Sequence, residues 1–293
     1  MGTLLSTISN IFTRTTVINS PAQILAGAAL LGNVVLNSGF IEHNLEATKI
    51  DKETIDFAHS PLAGTPVASE VSVRKYFKPV SDQYSLGSCV ANATADTAEA
   101  ELARFRNVSP DLIDDVSRLF LYWNARNNQF PPAANVDKGT YIALAFDCLR
   151  RYGVPTEALW PYDTSKVFTR PSPLAYRTAY STKPQYVNFY SINSTGDKRI
   201  TDVIKTLNSG HAVVFGTSLN KEFLGVQGKK IVSPPTTGFI GRHAMVITGW
   251  SQYENAFEVR NSWGLGWGDQ GYTYFTPSYI SSSITRDLFV LTM

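Results

Sequence analysis

The segment Gln83-Tyr84-Ser85-Leu86-Gly87-Ser88-Cys89-Val90-Ala91-Asn92-Ala93 runs from a small-residue loop straight into a helical pattern. From Val90 onward Ala91, Ala95, Ala98, Leu102 and Phe105 recur every three or four residues as far as Arg106, with good helix formers between them. That spacing predicts a helix with Cys89 at its start. A thiol there faces unpaired amides and the positive end of the helix dipole, which lowers its pKa and makes it a nucleophile. Gly87 permits a tight approach into the helix, and Gln83 can fold back beside the sulfur, where a side-chain amide donates to an oxyanion. The same segment also fits a buried, inert cysteine at a helix start, so it does not decide the chemistry alone.

The chain has four histidines, His43, His59, His211 and His243. His211 and His243 each open an apolar strand-like run, His-Ala-Val-Val-Phe and His-Ala-Met-Val-Ile, so local pattern does not separate them. The sequence downstream of each does. Asn261 stands after His243, in Arg260-Asn261-Ser262-Trp263-Gly264-Leu265-Gly266-Trp267-Gly268. Phe257, Val259 and Asn261 share one face of a strand by the period of two, which lets Asn261 point at a histidine on the neighbouring strand. An amide accepting from an imidazole N–H fixes ring orientation and tautomer, and Trp263 can shield that bond from water.

The surrounding 293 residues have an ordinary globular composition, 43% hydrophobic, with 26 basic and 24 acidic side chains and a net charge of +2. This balance excludes the basic footprint of a nucleic-acid binder and the polybasic patch of a membrane-surface protein. The two cysteines, Cys89 and Cys148, allow at most one disulfide. A reducing compartment or a virion is therefore expected in preference to secretion. Cys148, within Phe146-Asp147-Cys148-Leu149, reads as a buried inert thiol. No Cys or His pair has zinc spacing, and no phosphate turn follows Gly264–Gly268, so neither a metal nor an organic cofactor is expected.

Residues 1–41 carry a single charge, Arg14. Leu4, Leu5, Ile8, Ile11 and Phe12 recur at helical spacing, and the apolar run from Ile24 to Leu36 is too short to span a bilayer. This part reads as a helical extension that packs on the protein or on an assembly partner. The linker-like Ser60-Pro61-Leu62-Ala63-Gly64-Thr65-Pro66 closes it. Helices are expected across 116–125, 141–152 and 200–207, and strands at 212–215, 244–247 and 257–260. Helices first and strands later predict an α+β chain: extension 1–66, helical lobe 67–186 carrying Cys89, and β-rich lobe 187–293 carrying His243 and Asn261.

Taken together, Gln83 to Ala91, Gly241-Arg242-His243-Ala244, Asn261-Ser262-Trp263-Gly264 and Gly271-Tyr272 resemble the papain family of cysteine peptidases, in the family's order Gln, Cys, His, Asn. Weaker likenesses lie at Arg118–Tyr122, Gly139-Thr140, Tyr152-Gly153-Val154 and Trp160-Pro161-Tyr162, so the resemblance covers roughly residues 72–290. It implies a two-lobe fold, with a helical left lobe, an antiparallel β-barrel-like right lobe and an active-site cleft between them. It also implies hydrolysis of protein or peptide substrates without a cofactor. By that resemblance Cys89 is the nucleophile, resting as a thiolate beside protonated His243, and Asn261 orients His243. Gln83 and the Cys89 amide hold the oxyanion, and Trp263 covers the His–Asn pair. Gly139 and Thr140 would pair with substrate backbone, and Arg242 and Ala244 would line specificity pockets.

Two departures stand out. Leu86 and Val90 occupy positions where the familiar pattern has a cysteine and an aromatic residue. A family disulfide is therefore lost, and the segment looks more like the disulfide-free papain-like proteins of bacteria, archaea and their viruses. A rival reading is a catalytically silent adaptor, for instance a component of a viral particle, docked through residues 1–41. Another keeps the nucleophile and transfers the acyl group to an amine.

Overall fold

The computed structural model describes residues 39–42, 54–184 and 187–293. The helix expected from Leu4 to Phe12, the apolar run from Ile24 to Leu36, and all but residues 39–41 of the docking arm expected over residues 1–41 lie outside the described residues.

The helical half is built from α1 (Cys89–Arg106), α2 (Arg118–Asn128), α3 (Ile142–Tyr152) and α4 (Pro173–Ser181). Ser117 caps α2 by accepting the Phe120 amide at 3.1 Å, and Ser172 does the same for α4 through Ala175. The alanine stripe of α1 is not its only inward face. Every residue from Cys89 to Glu101 is buried, whereas Phe105, expected inside, is exposed. The helix runs through the centre of the molecule, so its acids need internal partners. Asp96 accepts Arg118 and Arg260, each at 2.7 Å, and Glu101 meets His211 at 3.0 Å.

The β-rich half contains α5 (Gly196–Asn208), two short helices, α6 (Lys221–Leu224) and α7 (Pro277–Ser281), and most of one sheet. Its strands are β1 (Ile55–Asp56), β2 (Glu70–Ser72), β3 (Asn188–Ile192), β4 (Val213–Asn220), β5 (Ile231–Val232), β6 (Phe239–Ser251), β7 (Ala256–Arg260), β8 (Tyr272–Phe275) and β9 (Thr285–Thr292). Among the described residues the order is β1-β3-β9-β4-β6-β7-β8-β5, with β2 paired to β6 off that path. The α+β, two-lobe reading holds, but the antiparallel barrel does not. Closure requires the terminal strands to bond each other. Here β1 pairs β3 and β5 pairs β8, both in parallel, and these two-residue strands end an open, mixed sheet. Short alternating strands read alike in either form, and only the non-local pairing at the edges separates them.

The halves meet on an aromatic seam in which Phe146 of α3 packs edge-on against Phe189 of β3 and Phe289 of β9. Across the other end, Arg260 at the end of β7 ties to Asp96 of α1 and to the carbonyls of Lys78 and Pro79. The strand end that leads into Asn261 is thereby fixed relative to the helix that begins at Cys89.

Candidate active site

Cys89 opens α1 and is fully buried. In β6, Thr217 of β4 stands opposite His243, and Val246 stands opposite Arg260 of β7, which brings Asn261 beside the imidazole. His243 Nε2 and Asn261 Oδ1 are 2.7 Å apart, so this nitrogen carries the donated proton and Nδ1 is the acceptor of the neutral ring. The Trp263 ring sits 4.8 Å from the imidazole, tilted to it, and packs edge-on against Trp267, and both tryptophans are buried. The Ala244 amide donates to Cys89 Sγ at 3.3 Å, so the sulfur is held one residue from His243.

The loop before Cys89 is stitched to the Asn-Ser-Trp-Gly segment. The Gln83 amide N–H donates to the Ser262 carbonyl, the Ser262 hydroxyl donates to Gln83 Oε1 at 2.6 Å, and Gly264 N–H donates to the Ser81 carbonyl. Gln83 Nε2 donates to the Leu86 carbonyl at 2.8 Å, which uses one of its two protons. Two further supports carried only a weak sequence signal. The Tyr162 hydroxyl bonds Ser88 Oγ and the Gln83 carbonyl. Asp137 accepts the Gly87 amide and the Tyr122 hydroxyl, and that hydroxyl accepts the Gly139 amide. Tyr122 and Tyr162 sit in segments already singled out, whereas nothing local marks Asp137.

The residues proposed for substrate contact are gathered around a feature that no motif foretold. Residues 39–42 lie along the cleft. Thr140 N–H donates to the Gly39 carbonyl at 3.1 Å and Ile41 N–H donates to the Thr140 carbonyl at 2.9 Å, so Phe40 runs parallel to Thr140. A Cβ on Gly39 would lie 2.5 Å from Cys89 Sγ, an approach that only glycine allows. The Phe40 ring is buried over Gly216, where an added Cβ would lie 2.1 Å from it. Glu42 pairs with Arg286 at 2.9 Å and Arg242 at 3.4 Å. Its one sequence signal is that Glu42 is the first acid in the chain.

This cover changes the electrostatics. Burial pushes the Cys89 thiol up to about 12, against the lowering effect of the Ala244 amide. Burial also lowers His243 to about 4, against the Asn261 bond. Both shifts disfavour the charged form, because a dry site penalises either charge. Both cysteines are free, and Cys148 is buried in α3. Among the described residues no three His, Cys, Asp or Glu side chains converge as a metal site, and no helix is long and apolar enough to cross a membrane.

A helix-start thiol beside an amide-oriented imidazole, at the junction of a helical lobe and a sheet, defines the cysteine hydrolases of the two-lobe type. The chain belongs to the papain family of cysteine proteases, whose profile matches residues 67–290, and it is a cysteine peptidase. It is 33% identical to an uncharacterized peptidase C1-like protein of Acanthamoeba polyphaga mimivirus, over 72% of this chain and 68% of that one. It is 25% identical to peptidase 1 of Dermatophagoides farinae, over 71% of this chain and 61% of that one. Among solved structures it is similar to xylellain, a cysteine protease from Xylella fastidiosa, with TM-score 0.72, 26% identity, and 90% and 99% of the two chains covered. A digestive procathepsin L 3 of Tenebrio molitor shares the fold at TM-score 0.65 and 18% identity, over 88% and 77%.

Proposed function

We propose that Cys89, His243, Asn261 and Gln83 carry out the hydrolysis, and that the described part of the extension keeps the cleft closed. The observation that carries this reading is the Ala244 amide on Cys89 Sγ, which places the sulfur at the backbone next to His243, whose Nε2 bonds Asn261 Oδ1. When residues 39–42 leave, water reaches the pair and lowers the cost of charge separation. The thiol proton then moves to His243 Nδ1, and Sγ bonds to the carbonyl carbon of the scissile peptide. The carbonyl oxygen takes the negative charge and accepts from the Cys89 amide and the remaining proton of Gln83 Nε2. As the C–N bond breaks, His243 gives its proton to the leaving amine. Water, deprotonated by His243, attacks the thioester, releasing the carboxylic acid and restoring the thiol.

Trp263 keeps the His–Asn bond dry, and Gly139 and Thr140 offer backbone to the substrate, as Thr140 does to residues 39 and 41. Ala244 and Arg242 line the cleft on its opposite wall. Residues 67–186 and 187–293 serve as the two lobes, with 1–66 as the extension. Digestion of an unstructured protein by the full chain carrying Gly39→Val, followed by product mass, tests this reading. Fragments that gain one water per cut, and vanish with Cys89→Ala, support it. Fragments that gain an amine would make the protein a transferase, and no Cys89-dependent product would refute the assignment.

A further inference from the structure

The segment over the thiol reaches the cleft wall with its residues in fixed places. Gly39 is at the sulfur, Phe40 is in the recess above Gly216, and Glu42 is at two arginines. Those arginines come from different strands, Arg242 from β6 and Arg286 from β9, and each is about half exposed in the presence of Glu42. Glu42 and Arg286 also line a recess of about 440 Å³ together with Asn193 and Arg199. Asp56 and Asp287 line the same recess and disfavour a second anion.

We infer that Arg242 and Arg286 form a subsite for an acidic side chain of the substrate, two residues beyond the one in the Gly216 recess and on the side away from the scissile bond. Any peptide that takes the place of residues 39–42 uncovers two guanidinium groups that had shared one carboxylate. A planar guanidinium recognises that group by directed hydrogen bonds as well as charge. A glutamate at that position restores the pairing, and a glutamine of the same shape does not. The Gly216 recess sets the register, because only with an aromatic or other large apolar side chain seated there does the acid reach both arginines. The extension thus holds the cleft with the same chemistry that selects the substrate. The inference rests on the peptidase assignment of this cleft.

The test uses the full chain carrying Gly39→Val, which lifts the cover, and two sets of fluorogenic peptides, with Glu, Gln or Lys at the glutamate position of Glu-Ala-Phe-Ala and Ala-Phe-Ala-Glu frames, to cover both chain directions. Thiol-reactive probes of the same sequences report Cys89 labelling independently of turnover. In one frame the Glu peptide should be preferred about five- to tenfold in kcat/KM, or in labelling rate, the size expected for a partly exposed pair of charge contacts. The ratio should fall towards one in Arg242→Gln/Arg286→Gln and should turn to favour Lys over Gln in Arg242→Glu/Arg286→Glu. Equal rates for Glu and Gln in both frames, with cleavage intact, would overturn the subsite alone. Neither cleavage nor labelling of Cys89 by any peptide would overturn the peptidase assignment beneath it.

Discussion

The Ala244 amide donates to Cys89 Sγ at 3.3 Å, a bond between the first residue of a helix and the middle of a strand in the opposite lobe. It spans the cleft and places the sulfur at the backbone next to His243, whose Nε2 bonds Asn261 Oδ1. Asn261→Ala removes that fixing contact without touching the thiol. It should lower kcat/KM about 10²-fold with little change in KM, since ring orientation matters most in proton transfer. Steady-state kinetics of the two proteins check this, and a change confined to KM would oppose it.

Gln83→Ala deletes a proposed oxyanion donor and should cost about 10² to 10³ in kcat. It also removes the Ser262 contact, so Ser262→Ala serves as the structural control. That control should keep most of kcat if the amide donor, and not the loop stitching, is what matters. Equal losses in both would assign Gln83 to positioning alone.

Gly39→Val should open the enzyme. No side chain fits between residue 39 and the sulfur, so the segment must lift. Labelling of Cys89 by a neutral alkylating reagent at pH 7 should rise at least about tenfold as water lowers the thiol pKa. Unchanged labelling would mean that residues 39–42 do not govern access.

His243 offers a pH prediction with a definite sign. Its folded-state value of about 4 lies below the ordinary 6.5, so the unfolded chain binds the proton first as pH falls. The contribution to stability is complete above pH 6.5 and is lost as pH drops from 6.5 towards 4, amounting to about 3 kcal/mol. In denaturant melts across that window, His243→Gln should show a correspondingly flatter pH dependence. A slope identical to that of the parent would contradict the buried neutral imidazole.

Asp96→Ala leaves Arg118 and Arg260 without the carboxylate that joins them in the interior. The expected destabilisation is about 3 to 5 kcal/mol, read from chemical unfolding. Because Arg260 precedes Asn261, activity in native buffer should also fall. A stability loss under about 1 kcal/mol would show that the pair is not needed.

The catalytic neighbourhood was legible in the sequence wherever local pattern carries chemistry. Cys89 at a helix start was a statement of period and position. His243, read as opening a strand, lies inside β6, and Asn261, read as a strand residue, follows the end of β7, yet the two do meet. Other features depend on contacts between distant segments. Asp137 reaches Gly87 across fifty positions, and the edges of the sheet are set by two-residue strands whose sequence carries no alternation. The burial of Asp96, Glu99 and Glu101 in α1 was hidden because an acid reads as a surface residue until its arginine or histidine is known. Residues 39–42 were hidden for a related reason. Four residues form no period, and their role emerges only through Thr140, Gly216 and Arg286.

The most direct test of the central claim, that Cys89 is a nucleophile activated by His243, is stoichiometric labelling with an epoxide-type thiol probe at neutral pH. It uses the full chain carrying Gly39→Val, with the site read by peptide mass. One probe per chain, on Cys89 and not Cys148, and suppressed by His243→Ala, is the predicted result. Labelling of Cys89 no faster than that of a free thiol, or indifferent to His243, would contradict it.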